Sequence, residues 1–412
     1  MERSTRRILT THAGSLPRPD DLLTGPPGPD GARAARLRSA VRDVVRRQVE
    51  TGLDVVDDGE LGKPGFIHYV NDRLAGFEPN AEVAPASSWA DSREVRAFPE
   101  YYAWFARAMP SPAAGAARLA CTGPVTYRGQ QVLQADLDNL AAALDGTRPA
   151  EVFVPAASPS SIAAWHTNRY YATEDEYLHA IGEAMREEYA AIVRAGFLLQ
   201  IDDPRLVTYW IIHPELSLAE CRRWARRRVD ALNHALRGIP EDRVRFHTCY
   251  SINMGPRVHD MQLRDIADVL LRIRAGAYSF EAANPRHEHE WRVWEDVKLP
   301  PDKVLIPGVI TQSSVLVEHP ELVAERIARF ARVVGRERVI AGADCGFATF
   351  AGSMEIHPTV AWAKLAALVE GARIASRQLW RASARAARRP ARAAPRPARR
   401  AATRRPRRRR RA

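Results

Sequence analysis

The sequence predicts a single (β/α)8 TIM barrel over residues 1–380, followed by a disordered basic tail over residues 381–412. Three observations carry that expectation. Short β-type runs alternate with amphipathic helical runs along most of the chain. Several of the β-type runs are continuously apolar, as in strands buried on both faces of a parallel sheet. Polar residues collect at the C-terminal ends of the runs, where a barrel of this kind assembles its reactive groups. An open doubly wound sheet is the second arrangement that fits the alternation.

Nine segments read as strands: Ile8–Ser15, Asp54–Glu60, Arg118–Thr126, Glu151–Ala157, Phe197–Asp202, Arg245–Ser251, Ala277–Ala283, Val304–Ile310 and Arg338–Asp344. Eight staves close a barrel, so at least one of the nine is something else. Between them, Leu37, Val41, Val44, Val45 and Val49 share one helical face, and Gly52 follows as a stop. Thr173 and Glu176 have the spacing of a capping box ahead of Leu178, Ile181, Met185 and Ile192, and Gly196 closes that helix. Pro320 opens a further helix with Leu322, Val323, Ile327 and Phe330 facing inward. Glu78 to Ala117 has no steady period and is read as an excursion from the barrel, part of a lid.

Charge is distributed unevenly. The formal net charge is +12, but the 15 arginines between Arg381 and Ala412, with no acid among them, leave the rest of the chain at −3. The tail is low-complexity Arg/Ala/Pro, too poor in apolar surface to fold, and its binding to nucleic acid would be non-specific. The 46% apolar content supports a sizeable core. Four widely spaced cysteines form no disulfide framework, the N-terminus lacks a secretory apolar segment, and no apolar run reaches the length of a membrane span. A soluble, cytoplasmic enzyme with reduced thiols is expected, and Cys121 and Cys221 are read as structural.

The strongest chemical signal is His247-Thr248-Cys249. Residues two apart on a strand point the same way, so an imidazole and a thiol can share one metal ion. Glu281 ends the next strand and Cys345 lies beyond a later one. One nitrogen, two sulfurs and one oxygen make a donor set that zinc accepts in tetrahedral geometry. A lone strand-end His or Cys is more often a packing group; the joint pattern raises metal binding above that. Asp57, Asp58, Glu60, Asp202 and Asp203 also fall at strand ends, where turn and helix-capping roles compete with catalytic ones.

These residues resemble a known family. His247-Thr248-Cys249, Ser279-Phe280-Glu281 and Asp344-Cys345-Gly346 are similar to the zinc site of the catalytic domain of cobalamin-independent methionine synthases. The resemblance extends, in order, through Thr10-Thr11-His12-Ala13-Gly14-Ser15-Leu16-Pro17, Asp58-Gly59-Glu60, Thr122-Gly123-Pro124 and Gln200-Ile201-Asp202-Asp203-Pro204. It implies Zn2+ held by His247, Cys249, Glu281 and Cys345, and methyl transfer from a methylated folate to homocysteine. It implies also that Glu60 and Asp202 act at the substrate amino group and that the backbone at Gly14 and Ser15 receives its carboxylate.

The chain departs from the pattern in two places. Ser313 stands where the family's acid residue is expected, and serine is a poor general acid. The stretch from Phe280 to Val304 resembles the epoxyalkane:coenzyme M transferase branch of the superfamily, so a coenzyme M-like thiol and an epoxide are the alternative substrates. A sulfonate would need cations; Arg257, Arg286 and His287 are available, unless they pair with Glu288 and Glu290. A metal-free decarboxylase-type barrel of the same architecture would leave the two metal cysteines unexplained, and a binding protein acting through its tail is the non-enzymatic alternative.

Overall fold

The computed structural model describes residues 1–24, 30–79, 89–108, 119–250, 255–352 and 356–387. Eight parallel strands form the barrel: β1 (Leu9–Thr10), β2 (Val55–Val56), β3 (Glu151–Ala157), β4 (Leu198–Asp202), β5 (Val244–Thr248), β6 (Ala277–Phe280), β7 (Val304–Ile310) and β8 (Ile340–Ala343). Their spatial order is their chain order, with β8 returning to β1. β1 and β2 meet through Asp54 N–H donating to Thr10 O at 3.1 Å and the Thr11 hydroxyl donating to Val55 O at 3.0 Å, which brings the two ends of the sheet together.

Alternation along the staves separates two environments. On β4, Leu199 and Ile201 pack outward into the core shared with the helices. Leu198, Gln200 and Asp202 turn the other way. Inside the barrel, Leu9, Ala277, Val304, Ile306 and Ile340 form one small apolar cluster and Val55, Phe153 and Leu198 another. Above them sits the buried Arg245, whose guanidinium lies 4.0 Å from the Phe153 ring centre and donates to the Thr11 hydroxyl and His12 O. The interior therefore changes from apolar to polar along the strand direction, toward the C-terminal ends.

The surplus strand is identified. Residues Leu119–Tyr127, read from sequence as a stave, instead pair antiparallel with Leu74–Pro79 and parallel with Thr167–Asn168 in a separate three-stranded sheet. Thr122-Gly123 is thus in the middle of an outlying strand and not at a barrel strand end. The error is physical: a strand buried on one face by a helix has the same apolar content as a stave, and Cys121 there is fully buried. The excursion also contributes helices Arg93–Ala97 and Pro99–Ala108; residues 80–88 and 109–118 lie outside the described residues.

The helix boundaries hold, although Leu322, read as inward-facing, is only half-buried. Asp30–Thr51 ends before Gly52, Glu174–Arg194 carries the Thr173/Glu176 capping box, and Pro320–Val334 begins on its proline. Cys221 is buried in helix Leu218–Ala235. The last helix, Pro358–Ala387, runs seven residues into the segment expected to be disordered. Arginine and alanine are strong helix formers, so a helix anchored on the barrel propagates into them. Residues 388–412, the remainder of the expected tail, are outside the described residues. Among the described residues no helix is long and apolar enough to cross a membrane.

Candidate metal centre and substrate pocket

His247 is the penultimate residue of β5, and Cys249 directly follows that strand. Cys345 follows β8 by two residues. Barrel closure brings them together. Ligand atoms of His247, Cys249 and Cys345 all lie within 4.8 Å of one another, and all three residues are buried. The two sulfurs are 3.1 Å apart, too far for a disulfide and too close for two thiolates with nothing between them. Hydrogen bonding to Cys249, together with burial, pushes the Cys345 thiol well above its ordinary range. Burial disfavours a charged His247, but the Cys249 and Asp202 side chains outweigh it and the net shift is upward. Ser279 Oγ holds His247 Nδ1 at 3.0 Å, which fixes the ring and leaves the other nitrogen for a metal.

Glu281 is beside this cluster but engaged elsewhere. Its Oε1 accepts from Tyr250 N–H at 2.8 Å; its Oε2 accepts from Arg257 Nη2 at 2.7 Å and Asn284 Nδ2 at 2.8 Å. It is not one of the residues whose ligand atoms fall within the 4.8 Å group. Asp344 braces the same turn, accepting from the N–H groups of Ala282, Ala283 and Asn284. Because Arg257 and Glu281 are both almost wholly buried, Arg257→Met should lower the unfolding free energy by about 3–5 kcal/mol in urea denaturation, with part recovered on adding Glu281→Gln.

The cluster forms one wall of a pocket that opens to solvent. Ser15, Glu60, Asp202, His247, Cys249 and Cys345 all line it; Gly14 and Glu281 do not. Glu60 has a left-handed backbone, φ 55°, in a loop built by Asp57 and Asp58, whose carboxylates accept from Gly59 and Glu60 N–H. Its carboxylate pairs with Lys63 at 3.4 Å. Asp202 Oδ1 accepts from Gln200 Nε2 at 2.8 Å. Burial, with Glu60 nearby, pushes the Asp202 carboxyl up to about 7 against the opposing pull of His247. The neighbouring Asp203 does what the turn reading proposed: it accepts from Arg205 N–H at 3.1 Å at the start of helix Arg205–Ile212. One aspartate caps; the other faces the pocket.

Near Gly14 the structure refines the expectation. Gly14 N–H is taken by His12 Nδ1 and Leu16 N–H by Gly59 O, whereas the Ser15 N–H has no partner among the described residues. Gly14 is required for shape: at φ 130° an added Cβ would stand 2.8 Å from Glu60 Oε1. Gly346 likewise admits Ser15, since a Cβ there would fall 2.0 Å from Ser15 Oγ. Ser313 is tied into a turn by Thr311 and is not a pocket residue.

Two of the three candidate sulfonate cations, Arg257 and His287, are already paired with acids. Arg257 binds Glu281 and Asp260; His287 is buried between Asp260 at 3.0 Å and Glu290 at 2.7 Å; Arg286 donates to Val258 O. Glu288 pairs with Arg326 and Arg329 instead. Burial opposes charge on His287, but hydrogen bonds to Asp260 and Glu290 raise it to about 9 from the ordinary 6.5. The stabilisation is therefore complete below about pH 6.5 and lost as pH rises through about 9, on the order of 3 kcal/mol. Melting temperature should fall between pH 7 and 10, and His287→Gln should flatten that decline.

Sequence reasoning did not assign roles to Ser279, Gln200, Lys63, Arg257 or Asp344 as supports. Ser279 and Gln200 each lie two residues from a named site residue on the same strand face, a signal that was present. Arg257 and Lys63 lie in loops, where spacing carries no direction.

The family model "Cobalamin-independent synthase, Catalytic domain" matches residues 140–371, more than half of the chain. The chain belongs to the cobalamin-independent methionine synthase family. Methionine synthase of Thermococcus kodakarensis is 27% identical over 353 residues, covering 84% of this chain and 86% of that protein. The Sulfolobus acidocaldarius methionine synthase is 24% identical, covering 90% and 93%. Among solved structures, the B12-independent methionine synthase of Shewanella sp. W3-18-1 in complex with selenomethionine superposes with a TM-score of 0.67 at 18% identity, covering 91% of this chain and 99% of that one. At that identity the structural likeness speaks for the barrel alone.

Proposed function

We propose that this chain is a zinc-dependent methyltransferase that moves a methyl group from a methylated folate to the thiol of homocysteine. The observation that carries this reading is the buried His247–Cys249–Cys345 cluster opening onto a pocket rimmed by Glu60 and Asp202. Three protein ligands with an open fourth position are the pattern of a catalytic, not a structural, zinc site. Zinc bound there would hold a substrate thiol as its anion at neutral pH and, through two thiolate ligands, keep that sulfur electron-rich.

The rest falls to the chain's own groups. Glu60 and Asp202, which both line the pocket, supply negative charge for a substrate ammonium. The Ser15 N–H is placed to donate to the α-carboxylate. Fixing three points of the amino-acid thiol aims its sulfur at the methyl carbon, and such positioning supplies several kcal/mol of the barrier. The S–C bond forms as the N–C bond of the donor breaks, and the departing nitrogen takes the electron pair. Serine at position 313 is a poor acid for the proton that this nitrogen needs.

The coenzyme M alternative fits less well. A sulfonate would meet the carboxylates of Glu60 and Asp202, while Arg257 and His287 are held by buried acids. Zinc-edge X-ray absorption of the purified protein should show one nitrogen-type and two sulfur ligands, with a third sulfur on adding homocysteine and none on adding coenzyme M. Zinc-free protein as purified, or a sulfur-poor shell, would overturn the reading.

A further inference from the structure

Two clusters among the described residues bring three or more metal-type donors within 4.8 Å, and only one of them is in the pocket. The second is His179, Glu183 and His234, on the outside of the barrel. His179 and Glu183 lie four apart on helix Glu174–Arg194, so they share a face one turn apart. His234 projects from the last turn of the adjacent helix Leu218–Ala235. The two imidazole rings are 4.1 Å apart, centre to centre, and tilted by 44°. His234 Nε2 is hydrogen-bonded to Glu183 Oε1.

We propose that His179, Glu183 and His234 form a second divalent-metal site, selective for late first-row ions such as Zn2+, Ni2+ or Cu2+, that staples these two helices together. The donor set is two imidazoles and one carboxylate, which suits those ions over Mg2+ or Ca2+. Neither histidine is needed by the core: His179 is exposed and His234 half-buried. Elsewhere along the seam, which also buries apolar side chains of both helices, Glu174 pairs with Arg228 and Asp175 with Arg227, and no imidazole takes part.

Without metal, Arg237 supplies most of the site's positive charge, with Arg186 4.0 Å from Glu183 Oε2. Its Nη2 donates to Glu183 Oε1 at 2.8 Å and its Nη1 to His234 Nδ1 at 2.7 Å. A metal on His234 Nε2 replaces the proton there; the neutral ring then carries its proton on Nδ1, which can no longer accept from Arg237. The half-exposed guanidinium therefore swings to solvent, and Arg237 and the metal compete. Binding to the folded state alone then stabilises the protein in proportion to the logarithm of metal concentration.

Cobalt substitution separates this site from the pocket, because only the cysteine cluster gives a thiolate-to-cobalt charge-transfer band. Equilibrium dialysis of the full chain with Co2+ should find two equivalents. His179→Ala with His234→Ala should lose one equivalent, and with it the metal-dependent rise in melting temperature, but retain the charge-transfer band and the methyltransferase activity. Cys249→Ser with Cys345→Ser should lose the band and keep one equivalent. Arg237→Ala should tighten the outer site by about two- to fivefold, the value of one surface ion pair. An unchanged stoichiometry in the double histidine variant, or weaker binding in Arg237→Ala, would overturn the proposal. Absence of the band from the unsubstituted protein, with one equivalent lost in the double histidine variant, would count against the pocket and support the outer site.

Discussion

Replacing Cys249 or Cys345 with serine is expected to cut kcat/KM by on the order of 10³-fold, about 4 kcal/mol of transition-state stabilisation. The reason lies in the 3.1 Å sulfur–sulfur separation. Both thiols are buried and in contact, and hydrogen bonding to Cys249, together with burial, pushes the Cys345 thiol well above its ordinary range. Serine keeps the volume and removes the soft, ionisable donor. The measurement is paired: zinc content by elemental analysis and steady-state rates on the same preparation, with a urea curve showing that the fold survives. Full activity in a variant that has lost its zinc would sink the metal assignment.

Asp202→Asn tests the other half of the site. Here the expected effect is on substrate recognition: a rise in KM for homocysteine on the order of 10²-fold, about 3 kcal/mol, with zinc content unchanged. Asparagine retains the acceptor for Gln200 Nε2 but removes the charge that would face the ammonium. A thiol of the same length without its amino group discriminates the cause. If Asp202 acts through the ammonium, that thiol should bind the variant and the parent protein with similar KM; an equal loss for both thiols would mean that the substitution has distorted the metal cluster instead. Glu60→Gln should behave alike but more weakly, since Lys63 already neutralises part of that carboxylate.

Local chemistry was legible where one residue's conformation decides the outcome. The Thr173/Glu176 capping box, the proline start at Pro320 and the stop at Gly52 all act within a few residues, so the chain order encodes them directly. Donor type was legible for the same reason: His247 and Cys249 are two residues apart on one strand end, whatever surrounds them. The identity of the surplus strand was not. Leu119–Tyr127 carries the composition of a stave, and only its partners, Leu74–Pro79 and Thr167–Asn168, place it outside the barrel.

What the sequence by itself determined is the set of parts: nine strand candidates with polar ends, a His-x-Cys pair, a distant cysteine and acids at neighbouring strand ends. Tertiary structure alone decided which parts meet. Cys345 reaches Cys249 across 96 residues because β5 and β8 are held in register by the strands between them. Glu281 is next to the cluster yet bound to Arg257, while Asp202 faces the pocket and Asp203 caps a helix. The physical reason is that residue type fixes what a group can do, but a few ångströms of position fix which partner it does it with, and those ångströms are set by the closure of the whole barrel.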